Sequence, residues 1–568
     1  MLLKTPYIEK LGDGIPHDYH PTPQFKRSEY KILNGLWDFA LSERKATEEY
    51  DSKILVPFCP ESEASGVCKT VLSKHYMHYR LKFTTDADLV GKKVLLHFGA
   101  VDSVCEVSVN GTALGTHEGG YIPFSFDVTD LLTDGENEIC VVAKDGVDHK
   151  YPYGKQKYNR GGMWYTPVSG IWQTVWLEYM PKLHVEDMKI TPLYDGVKIA
   201  ITGGAEHKKI TLKNSAEVFE FDGAIGIIKP ADIKLWTPEN PYLYEFTLEC
   251  GDDVIESYFA IRWLDVQEKA GKMRLCLNGQ PYLFNGLLDQ GYYPDGIFMP
   301  ATVDGYIDDI KMAKSLGFNM LRKHIKIEPM IFYYLCDKMG VAVFQDMVNN
   351  GEYKFVRDTV LPTVSTHFLQ KLNDKNFSKN KEVRSIFENT MYNTADLLYN
   401  SPSVVYYTIF NEGWGQFCAD EMYEKLHAYD KSRFIDSTSG WFRRNKSDVD
   451  SRHIYFRTLK PKHLDGRPLV ISEFGGYAHS VKEHVYSEKI YGYRTYDSRE
   501  EYENNVCKLY ETEVAELVKN GASAFVYTQV SDVEDEINGL VTYDRQVVKV
   551  DAARLSKINK ELAKISNL

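Results

Sequence analysis

Two glutamates stand at positions where a carboxylate is costly unless it has a task. The run YYTIFNEGWGQF from Tyr406 drives an apolar, strand-like segment into Asn411 and Glu412, with Gly413 and Gly415 permitting a turn just beyond. The run LVISEFGG from Leu469 does the same for Glu473. An unpaired charge at the end of a buried strand is expensive, yet one such glutamate alone is commonly structural. Two together suit glycoside hydrolysis with retention. That reaction needs two carboxyl groups about 5 to 5.5 Å apart, one protonating the leaving oxygen and the other attacking the anomeric carbon.

The elements that must hold such a pair follow from the rhythm of the chain. From about residue 266 onward, apolar strands alternate with helical stretches, the pattern of parallel β/α architecture. The spacing predicts strands at 281–287, 318–323, 341–346, 404–411, 434–439, weakly near 454, at 468–473 and at 523–529. Helices are predicted over 306–316, 329–339, 383–399 and 499–519. That count over some 300 residues suits a (β/α)8 barrel at 266–568, with its active site at the C-terminal strand ends. Residues 351–383 are charged and without periodicity, so they read as a barrel insertion or a lid. Residues 1–180 carry many short Val-, Tyr-, Phe- and Trp-rich strands, and 181–265 repeat the style on a smaller scale. These read as a β-sandwich followed by an immunoglobulin-like sandwich.

Composition narrows the function further. A formal charge of −13 and an acidic pI near 5.7 argue against nucleic acid as a partner. Nine cysteines, none in a CxxC pair, suggest buried thiols rather than a disulfide or zinc framework. No apolar run approaches the ~18 residues of a membrane span, and the N-terminus lacks a signal-peptide pattern, so no membrane association and a cytoplasmic location are expected. The Asn110-Gly-Thr sequon then marks a turn between strands. His453 lies near Asp448 and Asp450, but no metal-ligand spacing supports a dedicated site, and neither a metal nor a cofactor is expected.

The Asn411-Glu412 and Ser472-Glu473-Phe-Gly motifs, 61 residues apart between the two glutamates, resemble the acid/base and nucleophile motifs of glycoside hydrolase family 2. The runs VDSVCEVSVNG from Val101, HEGGYIPF from His117 and GIWQTVWLE from Gly170 are similar to that family's sugar-binding jelly-roll domain. The resemblance covers nearly the whole chain and implies a jelly roll, an immunoglobulin-like sandwich and a catalytic TIM barrel. It implies a retaining exo-β-glycosidase in which Glu412 is general acid/base, Glu473 is nucleophile, Asn411 contacts the sugar 2-hydroxyl and Arg322 holds Glu473 ionised. A glycoside or oligosaccharide substrate and a dimeric or tetrameric assembly follow from the same resemblance.

Further candidates for lining the sugar site are Asp289, Asp346, His324, Trp441, His453, Tyr455 and Tyr527, all at or just past predicted strand ends. For each, core packing or a surface loop is an equal alternative. Tyr527 takes a place where relatives often carry Trp, which suggests an aromatic platform. Trp164, Trp172 and Trp176 read instead as packing at the junction of jelly roll and barrel.

The sugar is less legible. β-Glucuronidases carry an Asn-x-Lys pair where this chain has Glu536, Ile537 and Asn538, preceded by Asp532, Glu534 and Asp535. Those acids would repel a uronate unless Lys323 or Lys326 supplied the cation. The run FYYLCDKMGVAVFQD from Phe332 resembles the mannosidase branch, but that branch's acidic motif is missing beside Glu412. A neutral hexose, β-galactoside first, is therefore the expectation. β-Glucuronidase or β-mannosidase specificity, transglycosylation and a non-catalytic carbohydrate-binding role are the alternatives.

Overall fold

The computed structural model describes residues 3–566 apart from 13, 48, 86–88, 362–371 and 462–463. The first unit is a sandwich of two antiparallel sheets. One contains Tyr30–Ile32, Val175–Pro181, Lys92–Phe98 and Phe124–Asp127; the other has six strands, with Glu136–Lys144 paired between Tyr76–Thr84 and Val104–Val109. Along Glu136–Lys144 every second side chain, from Asn137 through Ile139 and Val141 to Ala143, is buried, as the pleat requires of a sheet with one wet face. Asn110 sits with positive φ in the tight turn joining Val104–Val109 to Thr112–Glu118, the turn expected there.

A second, smaller sandwich packs Val185–Pro192, Val197–Gly203 and Ile225–Ile228 over a four-stranded sheet that includes Tyr244–Cys250, around a core of Ile, Val, Leu and Phe. It is anchored to the third unit through buried side chains. The Trp236 indole donates to the Asp337 carbonyl at 2.9 Å, the Tyr258 hydroxyl to the Asp337 carboxylate at 2.7 Å, and Arg262 to the carbonyls of Pro402, Ser432 and Val404.

The third unit is an eight-stranded parallel sheet rolled into a barrel. Its strands are β1 (Phe284–Asp289), β2 (Met320–Lys323), β3 (Ala342–Asp346), β4 (Val404–Asn411), β5 (Phe434–Ser439), β6 (Asp450–Ile454), β7 (Leu469–Gly475) and β8 (Ala524–Thr528). Hydrogen bonding runs in the order β5-β4-β3-β2-β1-β8-β7-β6. The seam between β5 and β6 is joined by side chains, with Ser439 Oγ 3.4 Å from Ser451 Oγ and 2.9 Å from His453 Nε2. All strand positions predicted from the sequence are occupied, including the weak one near 454.

Helices Asp304–Ser315, Met330–Met339, Lys381–Leu397 and Arg499–Leu509 fall where the periodicity places them, while Ala419–Tyr429 and Ala552–Ser566 complete the outer ring. Their ends follow local chemistry. Asn380 accepts the Glu382 amide at 2.9 Å and Ser498 accepts the Glu501 amide at 3.1 Å, each satisfying a donor that has no partner within its helix.

Alternation along the strands divides two apolar layers. Phe284, Leu288, Met320, Phe344, Val470, Ala524 and Val526 fill the barrel interior. Leu287, Leu321, Val343, Ile471, Phe474, Phe525 and Tyr527 pack with the helices outside. A third cluster, containing Tyr121, Tyr165, Trp172, Phe298, Ile325 and Trp414, fuses the first sandwich to the barrel mouth. All nine cysteines are unpaired, and among the described residues no helix is long and apolar enough to cross a membrane.

Candidate active site

The inward parity of β2 and β3 places Arg322 and Asp346 inside the barrel near its C-terminal end. Arg322 is almost completely buried and uses its whole guanidinium: Nε donates to Asp346 at 3.0 Å, Nη1 to Glu473 Oε1 at 3.1 Å and to the Ser472 carbonyl at 2.9 Å, and Nη2 to Asn411 Oδ1 at 2.9 Å. A planar fork fits three strands in this way where an ammonium could not. β7 breaks its alternation between Ile471 and Phe474, both of which join the outer layer. Ser472 and Glu473 between them therefore both face inward. Ser472 Oγ meets Ser439 and Ser451, while Glu473 meets Arg322 and accepts a short hydrogen bond from the Tyr455 hydroxyl.

Glu412 follows β4 with a φ of +52°, a left-handed conformation that costs a non-glycine residue about 1–3 kcal/mol and tends to occur at functional sites. Its amide donates to the Ser439 carbonyl at 2.9 Å. His453 lies between the two acids, with Nδ1 2.8 Å from Glu412 Oε1 and 3.5 Å from Glu473 Oε2. One donor atom from each of Glu412, His453 and Glu473 falls within 4.8 Å of the others, so the two carboxyl groups face each other across the imidazole.

Burial alone would raise the Glu473 carboxyl, but the charges of His453, Arg322, His324 and Lys155 bring it down to about 2. Burial holds the His324 imidazole at about 4, with Lys155 adding to the effect against its 2.6 Å contact with Asp346. Burial alone would raise the Asp346 carboxyl, but Arg322 and His324 together hold it below the usual carboxylate range. The arrangement presents an ionised carboxylate on one side and a second carboxyl held by an imidazole on the other. The same three donors are the one cluster among the described residues with metal-ligating spacing. The Arg322 charge already balances Glu473, so a dication would meet like charge there.

The sequence candidates divide cleanly. Asn411, Arg322, Asp346, His324, His453 and Tyr455 gather around Glu412 and Glu473. Trp441 reaches the rim, edge-on to His453 at 5.6 Å between ring centroids. Asp289 does not join them. It shares the outward parity of Leu287, pairs with Lys323 at 2.7 Å and belongs to a buried network with Glu328 and Lys326. Lys323 and Lys326, considered as cations for a uronate, are committed to that network. Tyr527 is likewise outward, packed against Phe474 and Tyr510 at 5.7 and 6.2 Å, so it is no platform for a sugar. The inward residue of β8 is the next one, Thr528, whose hydroxyl lies 3.0 Å from that of Tyr455.

Above the acids opens a cleft of about 390 Å³ that neither glutamate motif announces. Trp164 and the neighbouring glycines from the first sandwich form one wall, and Trp441, Phe456, Tyr491 and Tyr493 another. Trp164, expected only to pack, does both, contacting Tyr353 and Trp414 edge-on at 5.1 and 5.3 Å. Phe355, Asp358 and Thr359 bring the described part of 351–383 to the same cleft; residues 362–371 of that stretch lie outside the described residues. Of these walls, Trp441, His453 and Tyr455 were among the sequence candidates; Phe456, Tyr491 and Tyr493 were not.

Residues 269–563 match the TIM barrel domain of glycosyl hydrolases family 2, 183–262 match a second glycosyl hydrolases family 2 model, and 52–170 match the glycosyl hydrolase 2 galactose-binding domain-like model. The chain belongs to glycoside hydrolase family 2. A β-galactosidase of Thermoanaerobacter pseudethanolicus is 30% identical over 295 residues, 47% of this chain and 39% of that protein. A putative β-glucuronidase of Formosa agariphila is 26% identical over 278 residues, 44% of this chain and 32% of that one. The chain thus spans less than half the length of the curated relatives it matches. Among solved structures, a β-D-glucuronidase of Dictyoglomus thermophilum superposes with a TM-score of 0.75 at 18% identity, covering 95% of this chain and 98% of that one, which shows the shared fold.

Proposed function

We propose that this family 2 protein is a retaining exo-β-glycosidase acting on a neutral hexose. The observation that carries the proposal is the approach of Glu412 and Glu473 to within 4.8 Å across His453, with Arg322 fixing one of them as the anion. Glu473 attacks the anomeric carbon while Glu412 gives its proton to the departing oxygen, leaving a glycosyl ester on Glu473. Glu412, now a carboxylate, takes a proton from water, and that water displaces Glu473. Tyr455 and Arg322 hold separate oxygens of Glu473, so its attacking face is fixed before substrate arrives. The Nε2 atom of His324 and the indole nitrogen of Trp441 are buried without hydrogen-bond partners among the described residues and suit sugar hydroxyls.

Uronides are disfavoured because Lys323 and Lys326 are committed to Glu328, while Glu473 and Asp346, both held below the usual carboxylate range, border the sugar position. The aromatic cleft beyond Glu412 suits an apolar aglycone. Initial rates on aryl β-galactoside, β-glucoside, β-mannoside and β-glucuronide, with wild type and Glu473→Ala side by side, test the reading. Cleavage of one neutral glycoside and a dead variant support it. A variant as active as wild type, or preference for the uronide, contradicts it.

A further inference from the structure

The first sandwich does more than pack on the barrel. Its segment 151–166 lies across the mouth: the Tyr153 amide donates to the Asn349 carbonyl at 3.2 Å, its hydroxyl to that of Gly351 at 2.9 Å, and the Thr166 amide to Glu534 at 2.9 Å. Gly154 fits so closely that an added Cβ would meet the Ile325 carbonyl at 3.0 Å. From this segment Gly161, Gly162, Met163 and Trp164 line the cleft, and the Tyr165 hydroxyl donates a short hydrogen bond to Glu536. Glu536, buried on the loop after β8, also accepts from Asn538 at 2.9 Å and lies in the field of Glu473.

Lys155 sits at the centre of this segment, its carbonyl tied to the Tyr165 amide at 2.9 Å. Its side chain is half-buried and makes no hydrogen bond or ion pair among the described residues. Its neighbours bring it to the site: Gly154 lies against the Ile325 carbonyl, next to His324, and Tyr165, whose amide meets the Lys155 carbonyl, reaches Glu536, in keeping with the Lys155 charge being felt by Glu473, His324 and Glu536.

We infer that Lys155, carried by the first sandwich, and Glu536, carried by the barrel, form a donor–acceptor pair that reads adjacent hydroxyls of an uncharged sugar, making Lys155 a specificity-determining residue of the site. The inference rests on the glycosidase reading above. The ammonium donates to one hydroxyl oxygen and Glu536 accepts from a neighbouring hydroxyl, so the pair leaves no charge for a substrate carboxylate to match. A uronate beside Lys155 would also face Glu536 and Glu473. The arrangement explains why the sandwich approaches the barrel mouth so closely, because the sugar site is incomplete without it.

The test compares wild type, Lys155→Met, Lys155→Arg and Glu536→Gln on the best aryl β-hexoside, its 3-, 4- and 6-deoxy analogues, and the aryl β-glucuronide. Lys155→Met should lower kcat/KM on the parent by about 10- to 100-fold, the loss expected for one charge-assisted hydrogen bond. It should leave one deoxy analogue nearly unaffected, abolishing the preference for that hydroxyl, and Lys155→Arg should restore part of the loss. Glu536→Gln should remove discrimination at a neighbouring position. Equal losses on the parent and every analogue mean a structural role and overturn the inference, as does an unchanged Lys155→Met. A wild type that prefers the glucuronide, with Lys155→Met reversing that preference, overturns it by making Lys155 a carboxylate receptor. A wild type that cleaves no neutral glycoside sinks the underlying reading as well, whereas normal hexoside cleavage with an unchanged Lys155→Met sinks only the role of Lys155.

Discussion

At the scale of single residues, the site is organised around the Arg322 guanidinium, which meets Asp346, Glu473 and Asn411 at once. Removing it as Arg322→Met leaves two buried carboxylates without their counter-charge, a defect that typically costs about 3–5 kcal/mol. Expected is a loss of activity with a lowered melting temperature, checked by kinetics and thermal unfolding together; full activity would contradict the role assigned here. His453 bridges Glu412 and Ser439, so His453→Ala should free Glu412, the proposed acid/base, and change the pH profile of kcat as well as its height. A rate loss with an unchanged pH profile would reduce His453 to packing. The glutamates were legible because each ends an apolar strand. Tyr527 was misread because a shift of one position reverses the face of a strand residue, and Thr528 is the one that points inward.

At the scale of elements, the irregularity in β7 and the turn after β5 aim the side chains. Gly440, just past β5, has a φ of +85°, and a Cβ there would lie 2.6 Å from His453 Nδ1. Gly440→Ala should therefore strain the turn and displace the imidazole, lowering kcat more than it raises KM; wild-type kcat would show that His453 need not be held. Phe355 and Phe456, 61% and 66% exposed, stand at the cleft without a core to fill. Replacing either by Ala should raise KM for aryl glycosides several-fold, on the order of the ~1 kcal/mol an aromatic contact contributes, with kcat little changed. Barrel strands and most helices were readable from periodicity. The cleft walls were not, because they come from 161–164, 355–359 and 491–493, segments whose meeting depends on tertiary contacts that no local pattern encodes.

At the scale of the molecule, the three units act as one body through buried polar contacts. Arg27 joins Asp253 at 2.8 Å, Glu178 at 2.8 Å and the Val185 carbonyl at 2.7 Å, linking the two sandwiches. Near the N-terminus, His17 Nε2 lies 3.0 Å from the Pro300 carbonyl of the barrel, and burial lowers its imidazole from 6.5 to about 4. A folded-state value below the unfolded one means that the unfolded chain binds the proton more readily across that window. Stability from neutral His17 is complete above about 6.5 and is lost as the pH falls toward about 4, up to about 3 kcal/mol. The difference in unfolding free energy between wild type and His17→Gln should shift against wild type by that amount between those pH values. A difference independent of pH would refute the burial of a neutral imidazole. Domain order was visible in the sequence, but the contribution of the first sandwich to the cleft was not, since Trp164 lies more than 240 residues from either glutamate.

Glu473 is the residue whose carboxylate oxygen is proposed to bond to the sugar. Incubation with a 2-deoxy-2-fluoro-β-glycosyl fluoride of the preferred hexose, followed by intact-mass measurement and peptide mapping, reads this directly. One fluoro-sugar per chain, attached at Glu473 and formed in step with loss of activity, is the predicted result; full activity without an adduct, or an adduct on another residue, would contradict it.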